Sequence, residues 1–287
     1  MRLVTAIDDV RRAIQAAKSS GATVAFVPTM GALHAGHLSL IERAHAEGSF
    51  VVVSIFVNPL QFNDHADLAA YPRDVEADVK MCRTAGVDLV WCPESEMIYP
   101  EGFETSVELG RLADVLEGLH RPGHFAGMAT VVLKLLNVVA PDVACFGRKD
   151  LQQIAIVRRM VRDFNLPVRI IDCRTVREED GLALSSRNTK LSDEARAVAT
   201  HLFRVIHQAA RAIQSGERAD EARELAIADL ASRPGLDLEY LEVVDRDSLA
   251  PITHEGLAKA VVVVAAVVGG VRLIDNIDVH TASEDPR

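Results

Sequence analysis

The chain of 287 residues is 49% hydrophobic and carries a formal net charge of -10 at pH 7, enough length and apolar content for one large or two smaller packed domains. The negative balance excludes a broad basic face for nucleic acid or an anionic membrane. Any anionic ligand therefore has to be met by a local set of donors.

Helical spacing predicts a first helix over Ile7 to Lys18, ending near Gly21. The β-branched and aromatic run Thr23-Val-Ala-Phe-Val27 then reads as a strand that stops at Pro28. It turns through Thr29-Met30-Gly31 into a helix from about Leu33 to Gly48. Phe50 to Val57 is a continuous apolar run, as expected of a strand buried on both faces in a parallel sheet, and it stops at Asn58-Pro59. A helix over about Val75 to Ala85 and a short strand over Val87 to Cys92, closed by Pro93, come next. Arg121-Pro-Gly-His124-Phe-Ala-Gly127 precedes a long apolar helix, Met128 to Val139. Val143 to Phe146 is a strand running into the loop Gly147-Arg148-Lys149-Asp150, and a strand around Val168 to Cys173 leads to Asp180 through Asn188. Strands alternating with helices predict an α/β fold with a Rossmann-like doubly wound parallel sheet, whose ligand sits beyond the carboxyl ends of the strands.

After Arg187 the pattern changes. Ser192 is an N-cap for a helix to about Ile213, a second helix spans about Ala219 to Ala231, and Leu238 to Val244, Ala260 to Val268 and Val271 to Ile274 read as strands. These form a second, smaller α+β C-terminal domain, which gives domains of 1–175 and 176–287. The apolar run Ala260 to Val268 is about half of the roughly 20 residues a membrane helix needs. Residues 281–287 are expected to fray. Cys82, Cys92, Cys145 and Cys173 lie at wide spacings without a C-x-x-C pair or a secretory leader, so reduced core thiols in a cytoplasm are expected.

The strongest chemical signal is His34-Ala-Gly36-His37 at a strand-to-helix turn. A helix start leaves backbone N–H groups unpaired and carries partial positive charge, so it holds phosphate readily, and imidazoles three residues apart project toward one anion. Gly36 inside a helix costs about 1 kcal/mol relative to Ala, which suggests a ligand lying flat on the backbone. Zinc is the competing use of two histidines, but it wants a third protein ligand and no H-E-x-x-H is present. Asn58 and Gln61 follow the second strand. Asp74, Glu76 and Asp78 alternate as the exposed start of a helix does, which fits better than a metal cluster. No elbow motif presents a serine and no cysteine has a neighbouring histidine, so no covalent enzyme intermediate is expected.

Five blocks stand in order: Pro28-Thr-Met-Gly-Ala-Leu-His34-Ala-Gly-His37, Phe56-Val-Asn58-Pro-Leu-Gln61-Phe, His120-Arg121-Pro-Gly-His124-Phe, Phe146-Gly-Arg-Lys149-Asp150-Leu-Gln-Gln153 and Leu184-Ser-Ser186-Arg187-Asn188. With them the chain resembles, from about residue 20 to its end, the pantothenate synthetase (pantoate–β-alanine ligase) family of the nucleotidyltransferase superfamily that carries the His-x-Gly-His signature. The resemblance implies ATP-dependent joining of pantoate to β-alanine through a pantoyl adenylate, with release of pyrophosphate and AMP. The alternative is an adenylyl or cytidylyl transferase without the amide-forming step.

By resemblance, Met30, Gly31, His34, Gly36 and His37 line the ATP site, with His37 a proton donor and Gly36 passing the adenine-ribose. Lys149 and Arg187, with the hydroxyls of Ser185 and Ser186, clasp the β- and γ-phosphates. Gly147, Asp150, Val176 and Leu184 complete the nucleotide pocket. Gln61 and Gln153 bind pantoate's hydroxyls and carboxylate, Asn58 orients substrate, and Arg121 and His124 either contact substrate or shape the mouth of the cleft. Mg²⁺ accompanies ATP, with its ligands not assigned. The resemblance further implies a homodimer, and an adenylate labile to water suggests that the smaller domain acts as a lid.

Overall fold

A computed structural model of the chain describes residues 1–63, 68–253 and 256–281. Two compact units divide it: Met1–Arg148 with Ile156–Arg174, and Lys149–Ala155 with Thr175–Arg287.

The first unit is built on a six-stranded parallel sheet of β1 (Arg2–Val4), β2 (Val24–Thr29), β3 (Phe50–Ile55), β4 (Leu89–Trp91), β5 (Val143–Gly147) and β6 (Arg169–Cys173), in the order β1-β4-β3-β2-β5-β6. Helices α1 (Ile7–Ser19), α2 (Ala35–Glu47), α3 (Val75–Thr84) and α4 (His124–Val139) join the strands. Helix α5 (Leu151–Asp163) supplies residues to both units. The β-branched runs in β2 and β3 are buried almost completely, as a sheet covered on both faces demands, and Ala25, Val27, Ile41, Val51, Val53 and Val90 share one core cluster.

Connection order reverses at β2: the chain moves outward through β3 and β4, then returns to the other side of β2 with β5. That is a topological switch point, and its crevice opens at the strands' carboxyl ends. Strand β5 pairs with β2 only at Ala25 and Phe26, while β3 follows β2 through Pro28 and Thr29. The ladder therefore extends past Pro28, beyond the end its ring suggested. Among the described residues β2 has a partner on one side only by that point, which removes the usual objection to proline in a central strand.

Other boundaries moved by a few residues. Helix α2 starts at Ala35 because His34 caps it, β3 ends at Ile55, and α4 begins at His124. Strand β1 has three residues and an exposed pattern, too short and polar to show periodicity.

The second unit has an antiparallel sheet, β7 (Leu236–Asp245), β8 (Ala260–Val268) and β9 (Val271–Asp278), in that order. It packs with α6 (Asp193–Gln214) and α7 (Ala219–Ala231). Leu202, Ile206, Ile213, Leu230, Val262 and Val264 lie in its core. Ser192 caps α6 by accepting from Ala195 N–H at 3.2 Å. Apart from Thr281, the tail expected to fray lies outside the described residues.

No helix among the described residues is long and apolar enough to cross a membrane. All four cysteines are free. Burial, with Asp78 nearby, pushes the Cys82 thiol up to about 12 and Cys92 to about 11, so both stay protonated and poor nucleophiles.

Candidate active site

The loop after β2 is shaped first by its backbone. Gly31 has φ of +82°, and a Cβ there would stand 2.8 Å from Asp78 Oδ2, so glycine is required twice over. Asp78 is 3% exposed, and its carboxylate accepts from Ala32 N–H at 2.9 Å and Leu33 N–H at 2.7 Å. The expected exposed position for Asp78 is thus corrected: of the alternating acids, Asp74 caps α3 through Ala77 N–H, whereas Asp78 turns inward because the loop's donors need a buried acceptor.

The same loop settles the histidine protons. His34 Nδ1 accepts from Gly36 N–H at 3.1 Å, and His37 Nδ1 accepts from His34 N–H at 3.2 Å, a reciprocal capping box written in imidazoles. A backbone N–H can only donate, so in each neutral ring the proton resides on Nε2. The ring centroids are 4.2 Å apart. The first turn of α2 therefore carries two imidazole donors as well as its own dipole.

Past β3, the turn Pro59–Gln61 is pressed against the start of α4. A Cβ on Gly127 would clash with the Leu60 carbonyl, so only glycine lets the helix approach. Asn58, 1% exposed, donates through Nδ2 to Gly127 O (3.1 Å) and to Gln61 Oε1 (2.9 Å), and its Oδ1 accepts from Leu60 N–H (3.3 Å) and the Tyr99 hydroxyl (2.7 Å). Gln61 Nε2 lies 3.0 Å from Met30 Sδ, which links this turn to the loop after β2. His124 Nδ1 donates to Gln61 O at 2.7 Å, and Arg121 reaches His124 Nε2 at 3.2 Å and the same carbonyl at 3.4 Å. Arg121 and His124 thus hold the backbone that carries Gln61.

The first unit holds Met30, Gly31, His34, Gly36, His37, Asn58, Gln61, Arg121 and His124, with Met30 and Gln61 in contact, and Gly147 ends β5 at the switch point. Next to it, Arg148 is bonded to Asp172 at 2.9 Å and Arg158 to the same carboxylate at 2.8 Å. Burial raises the Asp172 pKa, but the two guanidiniums outweigh it and hold the carboxyl below the usual range.

The second unit holds Lys149, Asp150, Gln153, Val176, Leu184, Ser185, Ser186 and Arg187. Lys149 O accepts from Asn276 Nδ2 at 2.9 Å, and its ammonium makes no ion pair among the described residues. Val176 O accepts from Leu184 N–H at 2.9 Å, closing a loop. Ser185 Oγ accepts from Arg187 N–H at 3.3 Å, capping the short turn Ser186–Lys190. Arg177 anchors this loop: it is 10% exposed, grips Asp275 at 2.7 and 3.0 Å, reaches Gly181 O at 3.1 Å, and stacks 3.9 Å above Phe203. Asn188 Nδ2 adds bonds to Glu178 Oε1 (2.6 Å) and Ala183 O (3.0 Å).

Asp78, Tyr99 and Arg177 were not found from sequence. Tyr99 follows a short helix after β4, so a search of every strand's carboxyl end for a few residues further would have reached it; Asp78 and Arg177 gave no signal beyond ordinary helix and loop charges. A surface groove lined by Arg11, Ile14, Lys18, Asn137 and Ala140 lies at the amino ends of β2 and β5 and contains none of the site residues. Among the described residues no group of three or more His, Cys, Asp or Glu could hold a metal ion.

Residues 2–278 match the family model described as pantoate-beta-alanine ligase. The chain is 48% identical over 283 residues to a pantothenate synthetase of Rhizorhabdus wittichii, covering 98% of this chain and 100% of that one. It is 50% identical over 259 residues to a bifunctional pantoate ligase/cytidylate kinase of Synechococcus elongatus, covering 89% of this chain but spanning about half (49%) of that longer relative. A crystal structure of pantoate-beta-alanine ligase from Francisella tularensis, complexed with beta-gamma ATP and beta-alanine, superposes with a TM-score of 0.81 at 34% identity over 100% of both chains.

Proposed function

The chain belongs to the pantoate-beta-alanine ligase family, and from that premise we infer that it condenses (R)-pantoate with β-alanine at the expense of ATP. In the first step a pantoate carboxylate oxygen attacks the α-phosphorus, the bond to the β-phosphate oxygen breaks, and pyrophosphate leaves. In the second the amine of β-alanine attacks the pantoyl carbonyl, loses a proton, and expels AMP.

The observation that carries this reading is the proton placement on His34 and His37: both Nδ1 atoms are occupied by backbone N–H groups, so both rings offer Nε2–H at a helix N-terminus beside the switch point. Charge accumulates on the α-phosphate oxygens and the departing pyrophosphate, and preorganised donors there lower the barrier without reorganisation. His37 serves as proton donor to the phosphate, and Met30, Gly31 and Gly36 border the nucleotide. Gln61 and Gln153 recognise pantoate, with Asn58, Arg121 and His124 maintaining Gln61. Lys149 and Arg187 supply positive charge to the polyphosphate, supported by the ammonium of Lys149 having no carboxylate partner among the described residues; Ser185, Ser186, Gly147, Asp150, Val176 and Leu184 complete the nucleotide contacts.

Mg²⁺ enters as part of the nucleotide substrate. The described residues offer no three-ligand cluster for it, and this ion commonly keeps its waters and binds through substrate phosphates with few protein carboxylates. A cytoplasmic location rests on the expectation of reduced thiols and a homodimer on the resemblance alone; sedimentation velocity tests the pairing.

The deciding experiment incubates the protein with ATP, Mg²⁺, pantoate and β-alanine, omitting one at a time. A ligase releases AMP and pyrophosphate in equal amounts only when the amine is supplied; pyrophosphate without AMP under all conditions would identify a transferase that stops at the adenylate.

A further inference from the structure

We propose that Tyr99 is a positioning residue for the acid substrate: acting through Asn58, its hydroxyl holds the Gln61 amide so that N–H rather than C=O is offered to pantoate. The proposal rests on the ligase reading of the site.

Backbone groups decide each orientation in turn. The Gly127 carbonyl can only accept, so the Asn58 atom 3.1 Å from it is Nδ2. The Leu60 N–H can only donate, so the atom facing it at 3.3 Å is Oδ1. The second hydrogen on Nδ2 needs an acceptor, and Gln61 Oε1 stands 2.9 Å away. Gln61 is thereby turned with Nε2 away from Asn58, where its described neighbour is the thioether of Met30, a weak acceptor. A carboxylate or hydroxyl oxygen of a substrate is the better partner, and it replaces that contact at little cost.

Tyr99 is set at the other end. Asn58 Oδ1 cannot donate, so the phenol must, across 2.7 Å. Phe103 packs against its ring at 5.0 Å between centroids and Phe56 at 6.2 Å. Burial pushes the phenol's pKa up, so the donor proton persists through the physiological range. Because Asn58 is buried, removing that hydroxyl leaves Oδ1 with only the long bond from Leu60 N–H, and the amide that aims Gln61 loosens.

The test is Tyr99→Phe in the full chain, assayed with ATP, pantoate and β-alanine. The KM for pantoate is expected to rise roughly three- to tenfold, the worth of one buried hydrogen bond, while the KM values for ATP and β-alanine stay within about twofold. In an Asn58→Ala background the same substitution is expected to change nothing further, because the hydroxyl then has no amide to act through. A pantoate KM unmoved by Tyr99→Phe, an equal rise in all three KM values, or an equal effect in both backgrounds overturns the proposal. Should Asn58→Ala fail to fold, Gln61→Glu decides the polarity: it presents oxygens where N–H is required, and a variant that kept the wild-type KM for pantoate would refute it. Wild-type protein inert toward pantoate would instead overturn the ligase reading itself.

Discussion

Three stretches of irregular backbone carry many of the candidate site residues, and those of the two units are held by opposite chemistry. In the first unit the loop after β2 and the turn at Gln61 are held mainly by neutral hydrogen bonds: backbone N–H to imidazole, amide to amide, phenol to amide, with one buried carboxylate taking two N–H groups. In the second, the loop from Val176 to Asn188 is held mainly by ion pairs, Arg177 with Asp275 and Arg196 with Glu178 and Asp180. Neutral groups can be satisfied in one orientation only, so the first arrangement specifies which atom faces a ligand. Ion pairs specify position, but each consumes a cation. In a chain of net charge -10, more than half of the described arginines are already matched to acids, whereas Lys149 shares with Lys80, Lys134 and Lys190 the lack of an ion pair among the described residues.

The comparison breaks most decisively at Arg177. Arg177→Met keeps much of the stem and its contact with Phe203 but leaves the Asp275 carboxylate, 5% exposed, without its partner. A loss of about 3–5 kcal/mol is expected, the usual cost of stranding a buried charge. Arg177→Lys should recover only part of it, because an ammonium cannot match the two-pronged contact. Urea denaturation followed by probes in each unit measures this; a loss below about 1 kcal/mol would show that the ion pair is not what anchors the loop.

His37→Ala and Lys149→Ala come next, each expected to cost roughly a hundredfold in adenylate formation, the scale of one lost transition-state donor. Pyrophosphate release in the presence of pantoate reports it. Stability should be almost unchanged for Lys149→Ala and modestly lower for His37→Ala, whose ring also accepts from His34 N–H. A fall in melting temperature that tracked the activity loss would reassign either residue to structure.

How far the sequence carried the fold and site follows from the same contrast. The parallel sheet was legible because burial on both faces forces largely apolar runs, as at Phe50 to Ile55, where Ser54 is the one polar residue, and the helix start at His34 was legible because a strand, a turn and Gly36 crowd together. Asp78 was misread as exposed because helical position alone does not say which acid meets a loop 45 residues earlier. Arg177 was missed for the same reason: its partner is 98 residues away and one arginine among acids carries no local signature. Tyr99 matters through its hydroxyl partner, and no periodicity records a partner. Local patterns disclose elements and the groups at their ends; long-range polar pairings become visible only after the chain is folded.

A smaller effect sharpens the neutral side of the comparison. Asp78→Asn keeps one acceptor for the Ala32 and Leu33 N–H groups but replaces the other by an amide that would face a donor. About 1–2 kcal/mol of stability should be lost, with charge-assisted bonds becoming ordinary ones. Hydrogen exchange confined to the loop after β2 is the measurement, and unchanged protection at Leu33 would show that Asp78 is not its anchor.

Asp172 gives the smallest effect and tests whether ion pairs at the end of β5 behave as those in the second unit do. Its carboxyl is held below the ordinary 3.8 by Arg148 and Arg158, which overcome the opposing cost of burial. A depressed carboxylate binds its proton more weakly in the folded chain than in the unfolded one, so its contribution is complete above pH 3.8 and disappears as pH falls through the folded value. Asp172→Asn should therefore be about 1 kcal/mol less stable than wild type at pH 7, and the gap should narrow only below about pH 4. Urea midpoints taken at descending pH measure that narrowing. A gap independent of pH would mean that Asp172 acts through shape and hydrogen bonding alone, which would move the Arg148 loop to the neutral side of the comparison.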